Sequence, residues 1–243
     1  MADRFLLVDI GNTNTDFGLA TAHRILRAVT VPTPKLSRGR LPFRGEKFAG
    51  IVLASVVPAA TRKLLRWLPQ KTVVVSAKIN LGIGVRYPNR RQIGADRLAN
   101  AIAVAELYGT PAIVVDFGTA LTFDVVNARR EYVGGVIAPG LSAMTDYLYE
   151  RTALLPHIQV REPQSVIGKS TAGAMEAGAV LGYRGLVKEI LAALRREPGL
   201  RNAVAVATGG YAPLIARRVP GIQLVNPLLT LEGLRLIAVR NFM

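Results

Sequence analysis

Cysteine is absent from the 243 residues, so the chain has no disulfide, no thiolate nucleophile and no cysteine-ligated metal. Histidine is nearly as scarce. Only His23 and His157 occur, and neither stands in the spacing of a catalytic triad or a zinc site, so serine hydrolase and zinc chemistry find no support. No apolar run reaches the roughly 18 residues a membrane span needs. The opening stretch, Phe5 to Val8, is too short an apolar run for a secretory signal. The expected setting is therefore cytoplasmic, with no membrane partner. Acids are the last shortage: 16 Asp and Glu face 31 Lys and Arg, a formal charge of +15.

That imbalance is local. Between Phe17 and Ala95 fifteen basic residues face one acid, Glu46, so +14 arises there and the rest of the chain is close to neutral. A field of this kind attracts an anionic ligand or a nucleic acid, or it simply solvates a surface. From Pro34 to Arg40 the basic residues alternate with proline and glycine, form no helical stripe, and accompany no nucleic-acid-binding motif. Nucleic acid is not an expected partner.

What the chain does have is ample apolar content, 50% of residues, and an internal repeat. Val8-Asp9-Ile10-Gly11-Asn12-Thr13-Asn14-Thr15 and Val115-Asp116-Phe117-Gly118-Thr119-Ala120-Leu121-Thr122 share valine, aspartate, glycine and the last threonine at an offset of 107 residues, Asp9 to Asp116. Each follows an apolar run that reads as a buried strand (Phe5–Val8; Ala112–Val115) and enters an alternating stretch that reads as a second (Thr15–Leu19; Thr122–Val126). A tight glycine turn lets backbone N–H groups approach a phosphate, and an aspartate at a strand end is a hard oxygen ligand of the kind Mg²⁺ prefers. Such turns also close hairpins that bind nothing. Two copies half a chain apart favour the phosphate reading, with two similar lobes, 1–109 and 110–243, the last helix packing back on the first lobe.

Strands alternating with helices point to an α/β layer structure. Antiparallel strands are expected at Phe17–Ala20 and Ile25–Val31, further strands at Ile51–Ala54, Thr72–Val75, Glu131–Ala138, Val204–Ala207 and Ile222–Val225. Helices are expected at Ala59–Leu68, Leu98–Tyr108, Leu141–Arg151, Thr171–Arg196 and Leu229–Val239. Residues 32–49 and 152–167 read as loops. Leu98, Ile102, Ala105 and Leu107 would form the buried face of their helix. Asp96 at its start can be a cap, or a carboxylate kept ionised by the helix dipole and ready to accept a hydroxyl proton. Gly173, Ala177, Gly178 and Gly182 allow close approach on the long helix, as core or as a subunit contact. Thr208-Gly209-Gly210 is a turn where backbone can lie against a flat ligand.

Two motifs fail. Gly168-Lys169-Ser170-Thr171 resembles the end of a P-loop, but position 163 is Pro163 and no strand precedes it. Gly82-Ile83-Gly84 lacks the third glycine and the helix of a dinucleotide fingerprint.

Asp9-x-Gly11-Asn12-Thr13, Ser55-Val56-Val57-Pro58, Tyr87-Pro88-Asn89, Gly94-Ala95-Asp96-Arg97, Asp116-Phe117-Gly118-Thr119-Ala120, Gly134-Gly135-x-Ile137-x-Pro139-Gly140, Leu155-Pro156, Gly168-x-x-Thr171 and Thr208-Gly209-Gly210 follow one another, between about residues 5 and 216, in an order that resembles the type III pantothenate kinases. That family belongs to the acetate and sugar kinase/actin superfamily, whose duplicated ribonuclease-H-like lobes close over ATP. The resemblance implies transfer of the ATP γ-phosphate to the primary hydroxyl of pantothenate, the first step towards coenzyme A. It implies Asp96 as general base, and Tyr87, Gly94, Arg97 and Thr171 as pantothenate contacts, Thr171 reaching over from a partner in a homodimer. Asp9 would support Mg²⁺, with Gly11, Asn12 and Thr13 around the phosphates. Gly118 and Thr119 would form the second phosphate loop, Gly209 and Gly210 would lie near the adenine nucleotide, and Asp116 would sit near a monovalent cation, K⁺ or NH₄⁺. Residues 33–47 carry no family motif, and Asn226-Pro227-Leu228-Leu229 stands where related chains are often more acidic. Two other readings use the same residues: a regulator that keeps the nucleotide pocket, or a kinase of another small molecule. Asp9, Asp96, Arg97 and Asp116 together favour catalysis over the first, and the Tyr87–Arg97 stretch favours pantothenate over the second.

Overall fold

The structure, a computed structural model, describes residues 3–243 except Gly39, Arg40, Arg44, Pro69 and Gln70. In chain order come β1 (Phe5–Ile10), β2 (Asn14–Ala20), β3 (Ile25–Pro32), β4 (Gly50–Ser55), α1 (Pro58–Leu65), β5 (Thr72–Val74), β6 (Gly84–Val85) and α2 (Ala95–Leu107). Then follow β7 (Ala112–Phe117), β8 (Ala120–Val126), β9 (Glu131–Pro139), α3 (Leu141–Arg151), α4 (Thr171–Arg196), β10 (Val204–Thr208), α5 (Ala212–Ile215), β11 (Leu224–Val225) and α6 (Leu229–Phe242). Contacts divide the chain into two compact units: Met1–Gly109 with Arg129–Gly134 and Leu228–Met243, and Thr110–Ala128 with Gly135–Pro227.

The first unit is built on a five-stranded sheet in the order β3-β2-β1-β4-β5. β1 is central because it is apolar on both faces, all of it buried except Asp9, and such strands need cover on each side. Its even residues, Leu6, Val8 and Ile10, pack with Phe17, Ile51, Leu53 and Leu64 of α1. Leu36 joins that cluster, with Leu41, Phe43 and Phe48 against it, so part of the basic 33–47 segment covers the core. Arg40 and Arg44 of that segment lie outside the described residues. The other face of β1 carries Phe5, Leu7 and Asp9, since strand side chains alternate. There α6 lies across β1 and β4: Phe242 stacks on Phe5 at 6.1 Å, over the bare backbone of Gly50. Helix α2 packs on α6, and Thr230 donates to the fully buried Asn100 at 2.8 Å.

The second unit repeats the plan. β7 has the same burial pattern as β1, again with only its aspartate partly exposed. Its sheet runs β11-β10-β7-β8-β9-β6, and with β6 set aside the strands taken in chain order occupy the same places in both sheets. In each, the first two strands are antiparallel and the fourth lies parallel beside the first. β9 passes from one unit to the other, and its first residues pair with β6 (Gly84↔Glu131, Val85↔Tyr132).

Several expectations need correction. α2 starts three residues before Leu98, and Leu107 is 42% exposed. Nine residues at 100° each set Leu107 opposite Leu98 on the helix, so it was wrongly grouped with the buried face. α1 ends at Leu65, where Trp67 and Leu68 turn back onto the Leu64 carbonyl. The short β6 and α5 carry too few residues for any periodicity and were not anticipated.

Gly233 fixes how closely α6 approaches α2. A β-carbon there would stand 2.0 Å from the Ala99 carbonyl oxygen, so Gly233→Ala must force the helices apart. We expect a loss of about 3 kcal/mol in urea denaturation of the intact chain. An unchanged midpoint would show that the helix pair slides freely.

Candidate active site

In the first unit the β1–β2 hairpin presents Gly11-Asn12-Thr13 at the carboxyl end of β1. Gly11 N–H donates to the Asn14 carbonyl at 2.9 Å, and a β-carbon on Gly11 would approach that oxygen to 3.0 Å. Thr33, just past β3, holds the turn from outside: its hydroxyl donates to the Gly11 carbonyl at 2.7 Å and its N–H to the Thr13 carbonyl at 2.9 Å. The Thr15 hydroxyl lies 2.9 Å from that of Thr33. Thr33 belongs to a stretch without a recognised motif, and no sequence signal pointed to it. Register also sets Asp16 directly opposite Asp9, so two carboxylates share one face. Counting outward from the turn would have found this pair.

Asp96 is the second residue of α2, not its cap; that place is taken by Gly94, with no side-chain cap. Its Oδ1 accepts the Arg97 N–H at 2.8 Å. A β-carbon on Gly94 would fall 2.4 Å from the same oxygen, so glycine there leaves room for the carboxylate. The Arg97 guanidinium lies 5.7 Å from the centre of the Tyr132 ring, and Tyr87 packs on Tyr132 at 6.1 Å. Gly134 (φ +130) passes beside Tyr87. Tyr87, Gly94, Asp96 and Arg97 thus gather around the start of α2 and Tyr132. Ser55 has a supporting part: its hydroxyl accepts the Val57 N–H at 3.0 Å and the Thr61 hydroxyl at 2.7 Å, shaping the entry to α1.

In the second unit Asp116 lies between Thr122 of β8 and Thr208 of β10, both at opposed positions in the sheet. The Thr208-Gly209-Gly210 turn sits directly on it. Gly209 has φ +89, and a β-carbon would meet the Asp116 Oδ1 and the Phe117 backbone at 2.6 Å. Gly140, which opens α3, would place a β-carbon 2.2 Å from the Thr119 carbonyl oxygen. Asp116, Gly118, Thr119, Gly209 and Gly210 therefore come together as one backbone-lined cradle, with Gly140 as a supporting residue that had been given no role. The donors are carboxylate, hydroxyl and carbonyl oxygens, a set suited to hard cations. Among the described residues no three Asp, Glu or His cluster as a metal centre.

Thr171 is apart from that cradle. It is the exposed first residue of α4, after Ser170, whose hydroxyl caps the helix by accepting the Gly173 N–H at 3.1 Å. It lines an apolar groove of about 510 Å³ with Met144, Leu148, Met175 and Gly178. The loop leading to it is anchored by Glu162, which accepts from Arg184 Nη1 at 3.0 Å and Nη2 at 2.5 Å and pairs with Arg218 at 3.3 Å. The Arg184 hydrogen bonds, and then the charges of Arg184 and Arg218, hold the Glu162 carboxyl below its ordinary value against its own desolvation. Burial pushes the Tyr183 phenol up, and its hydroxyl donates to the Pro139 carbonyl at 3.2 Å.

Two sheets of this order, each with an Asp-x-Gly hairpin at its centre, define the fold class of sugar kinases and actins. An archaeal actin homolog superposes with a TM-score of 0.56 at 12% identity, covering 99% of this chain and 100% of that one. The ROK hexokinase of Thermus thermophilus gives 0.53 at 16%, covering 96% and 98%. The sequence pattern of the type III pantothenate kinases matches residues 5–193. A type III pantothenate kinase of Akkermansia muciniphila is 52% identical over 240 residues, 98% of this chain and 99% of that one. Another, from Moorella thermoacetica, is 40% identical over 252 residues, 97% and 99%. The chain belongs to the type III pantothenate kinase family.

Because Glu162 titrates lower when folded, its stabilisation is complete above about pH 4.5 and is lost as pH falls through the folded value. Glu162→Gln should melt earlier at neutral pH, since Arg184 is left buried without its carboxylate, and should lose less further stability on acidification. Parallel melting curves for both proteins below pH 4.5 would contradict this.

Proposed function

We propose that this chain transfers the γ-phosphate of ATP to the primary hydroxyl of pantothenate, giving 4'-phosphopantothenate at the entry to coenzyme A synthesis. Family membership over nearly the whole chain carries the reading. The geometry supports it: Asp96, Arg97, Gly94 and Tyr87 converge at one helix start.

Asp96 acts as the base. The Arg97 N–H fixes one of its oxygens while the other accepts the hydroxyl proton as attack proceeds. Arg97, steadied on Tyr132, and Tyr87 orient the acceptor. Gly11, Asn12 and Thr13 offer donors to nucleotide phosphates, and so do Gly118 and Thr119. Gly209 and Gly210 leave a flat backbone surface for the adenine nucleotide. Mg²⁺ neutralises phosphate charge when bound. Such sites use one or two carboxylates with substrate oxygens rather than a protein cage, and Asp9 beside Asp16 meets that need. Two carboxylates directly opposed in a sheet repel each other, a cost that a cation removes. Asp116 with Thr122 and Thr208 suits a monovalent cation. Phosphoryl transfer asks a protein mainly for such positioning and charge balance.

The reading includes a cytoplasmic homodimer. Tyr147, Leu148, Leu154, Val166, Ile167 and Leu181 are exposed on α3, α4 and the loop joining them, and Gly178 and Gly182 face open space. A large apolar patch of this kind marks an interaction surface, and a partner seated there would bring its chain against Thr171.

A coupled assay with pantothenate, ATP and Mg²⁺, with and without K⁺, tests the activity; no ADP release under any of these conditions would end the proposal. Asp96→Asn should lower kcat by about 10²–10⁴-fold with little change in the KM for ATP. Near-normal turnover would remove Asp96 from the role. Leu148→Arg should convert a dimer to a monomer by light scattering and weaken pantothenate binding, whereas an unchanged mass would place the subunit contact elsewhere.

A further inference from the structure

The first unit holds a second concave site, of about 930 Å³, that none of the roles above uses in full. Its floor lies where two parallel strands end. Ser55 is the last residue of β4, Val75 follows the last residue of β5, and both line the cavity. The carboxyl ends of parallel strands in an α/β sheet are where such folds receive ligands. The segment entering α2 also lines it, including Arg90, Arg91, Gly94 and Ala95.

The charge of this cavity is one-sided. Lys78, Arg90 and Arg91 line it and no Asp or Glu does. All three cations are solvent-exposed, and among the described residues none of them forms an ion pair. The positive end of α2 opens into the same space without a capping side chain at Gly94. Asp96 does not line the cavity; one of its oxygens is turned onto the Arg97 N–H. Arg90 and Arg91 are held by local backbone: the Asn89 side chain accepts the Arg91 N–H at 3.2 Å and the three residues Arg90–Gln92 form a 3-10 turn. Val56, Val75 and Ile93 give the lining an apolar part, beside the polar Ser55, Ser76, Asn89 and Gln92. The volume is in the range of small-molecule sites and far exceeds that of a bare phosphate.

We propose that this cavity binds a phosphate-bearing organic anion, its dianionic head held by Lys78, Arg90 and Arg91 and its apolar body against Val56, Val75 and Ile93. Guanidinium forks match phosphate oxygens in pairs, and a dianion answers a cluster of three cations better than a carboxylate does. The cavity shares Gly94 with the acceptor contacts proposed above but includes none of Tyr87, Asp96 and Arg97, and its occupancy requires neither ATP nor pantothenate.

Isothermal titration of the intact protein with phenyl phosphate, without nucleotide or pantothenate, tests this directly. The double variant Arg90→Gln/Arg91→Gln should bind phenyl phosphate about 10–100-fold more weakly, as expected for two lost charge-assisted contacts. The control Arg24→Gln/Lys71→Gln removes the same charge from exposed positions at the other end of the sheet, beside the start of β5 and the β2–β3 turn. It should leave binding within about twofold, allowing for screened long-range attraction. Benzoate should bind more weakly than phenyl phosphate. Unchanged affinity in the first variant, an equal loss in the control, or equal binding of benzoate would each overturn the proposal. None of these results bears on the coupled kinase assay, so the two readings fail separately.

Discussion

A carboxylate that is to meet phosphate or metal must stand at the end of a buried strand, against backbone that no side chain obstructs. Most of this chain answers that constraint. β1 and β7 bury every residue but the aspartate, and each then turns through glycine. In the second unit the demand is strict, because Gly209 and Gly140 press on Asp116 and Thr119 at distances no β-carbon tolerates. Helices α3 and α5 are positioned by these contacts as much as by their own apolar faces, since Gly140 and Gly209 lie at or near their first residues.

The shortage of acids takes on meaning beside that geometry. Where carboxylates are few, those present are placed. Glu162 ties a loop to Arg184, Glu106 joins Arg130 and Arg240, and Glu232 holds Arg235 at 2.6 Å. Asp9 and Asp116 stand near the ends of β1 and β7, and Asp96 in the first turn of α2. A kinase of small metabolites needs few such groups, because its task is to hold reactants and balance charge. The positive charge of the first unit adds to this, since it attracts an anionic donor and a carboxylate-bearing acceptor under the function proposed.

Local sequence determined the repeat, the turn chemistry and nearly every helix and strand. These follow from periodicities of two and 3.6 residues and from glycine, all of which are local properties. Helices α3 and α4 begin and end where the pattern places them, because a glycine opens one and a serine cap the other. The family motifs likewise marked Asp96, Arg97 and Asp116 in one dimension. Tertiary structure alone decided which distant pieces meet. Thr33 braces the Gly11 turn across 22 residues, Tyr132 supports Arg97 from a strand 35 residues on, and Gly209 seals Asp116 from 93 residues away. Side-chain alternation and helix phase say which face a residue occupies; only the closure of long loops around a shared core says what that face will touch.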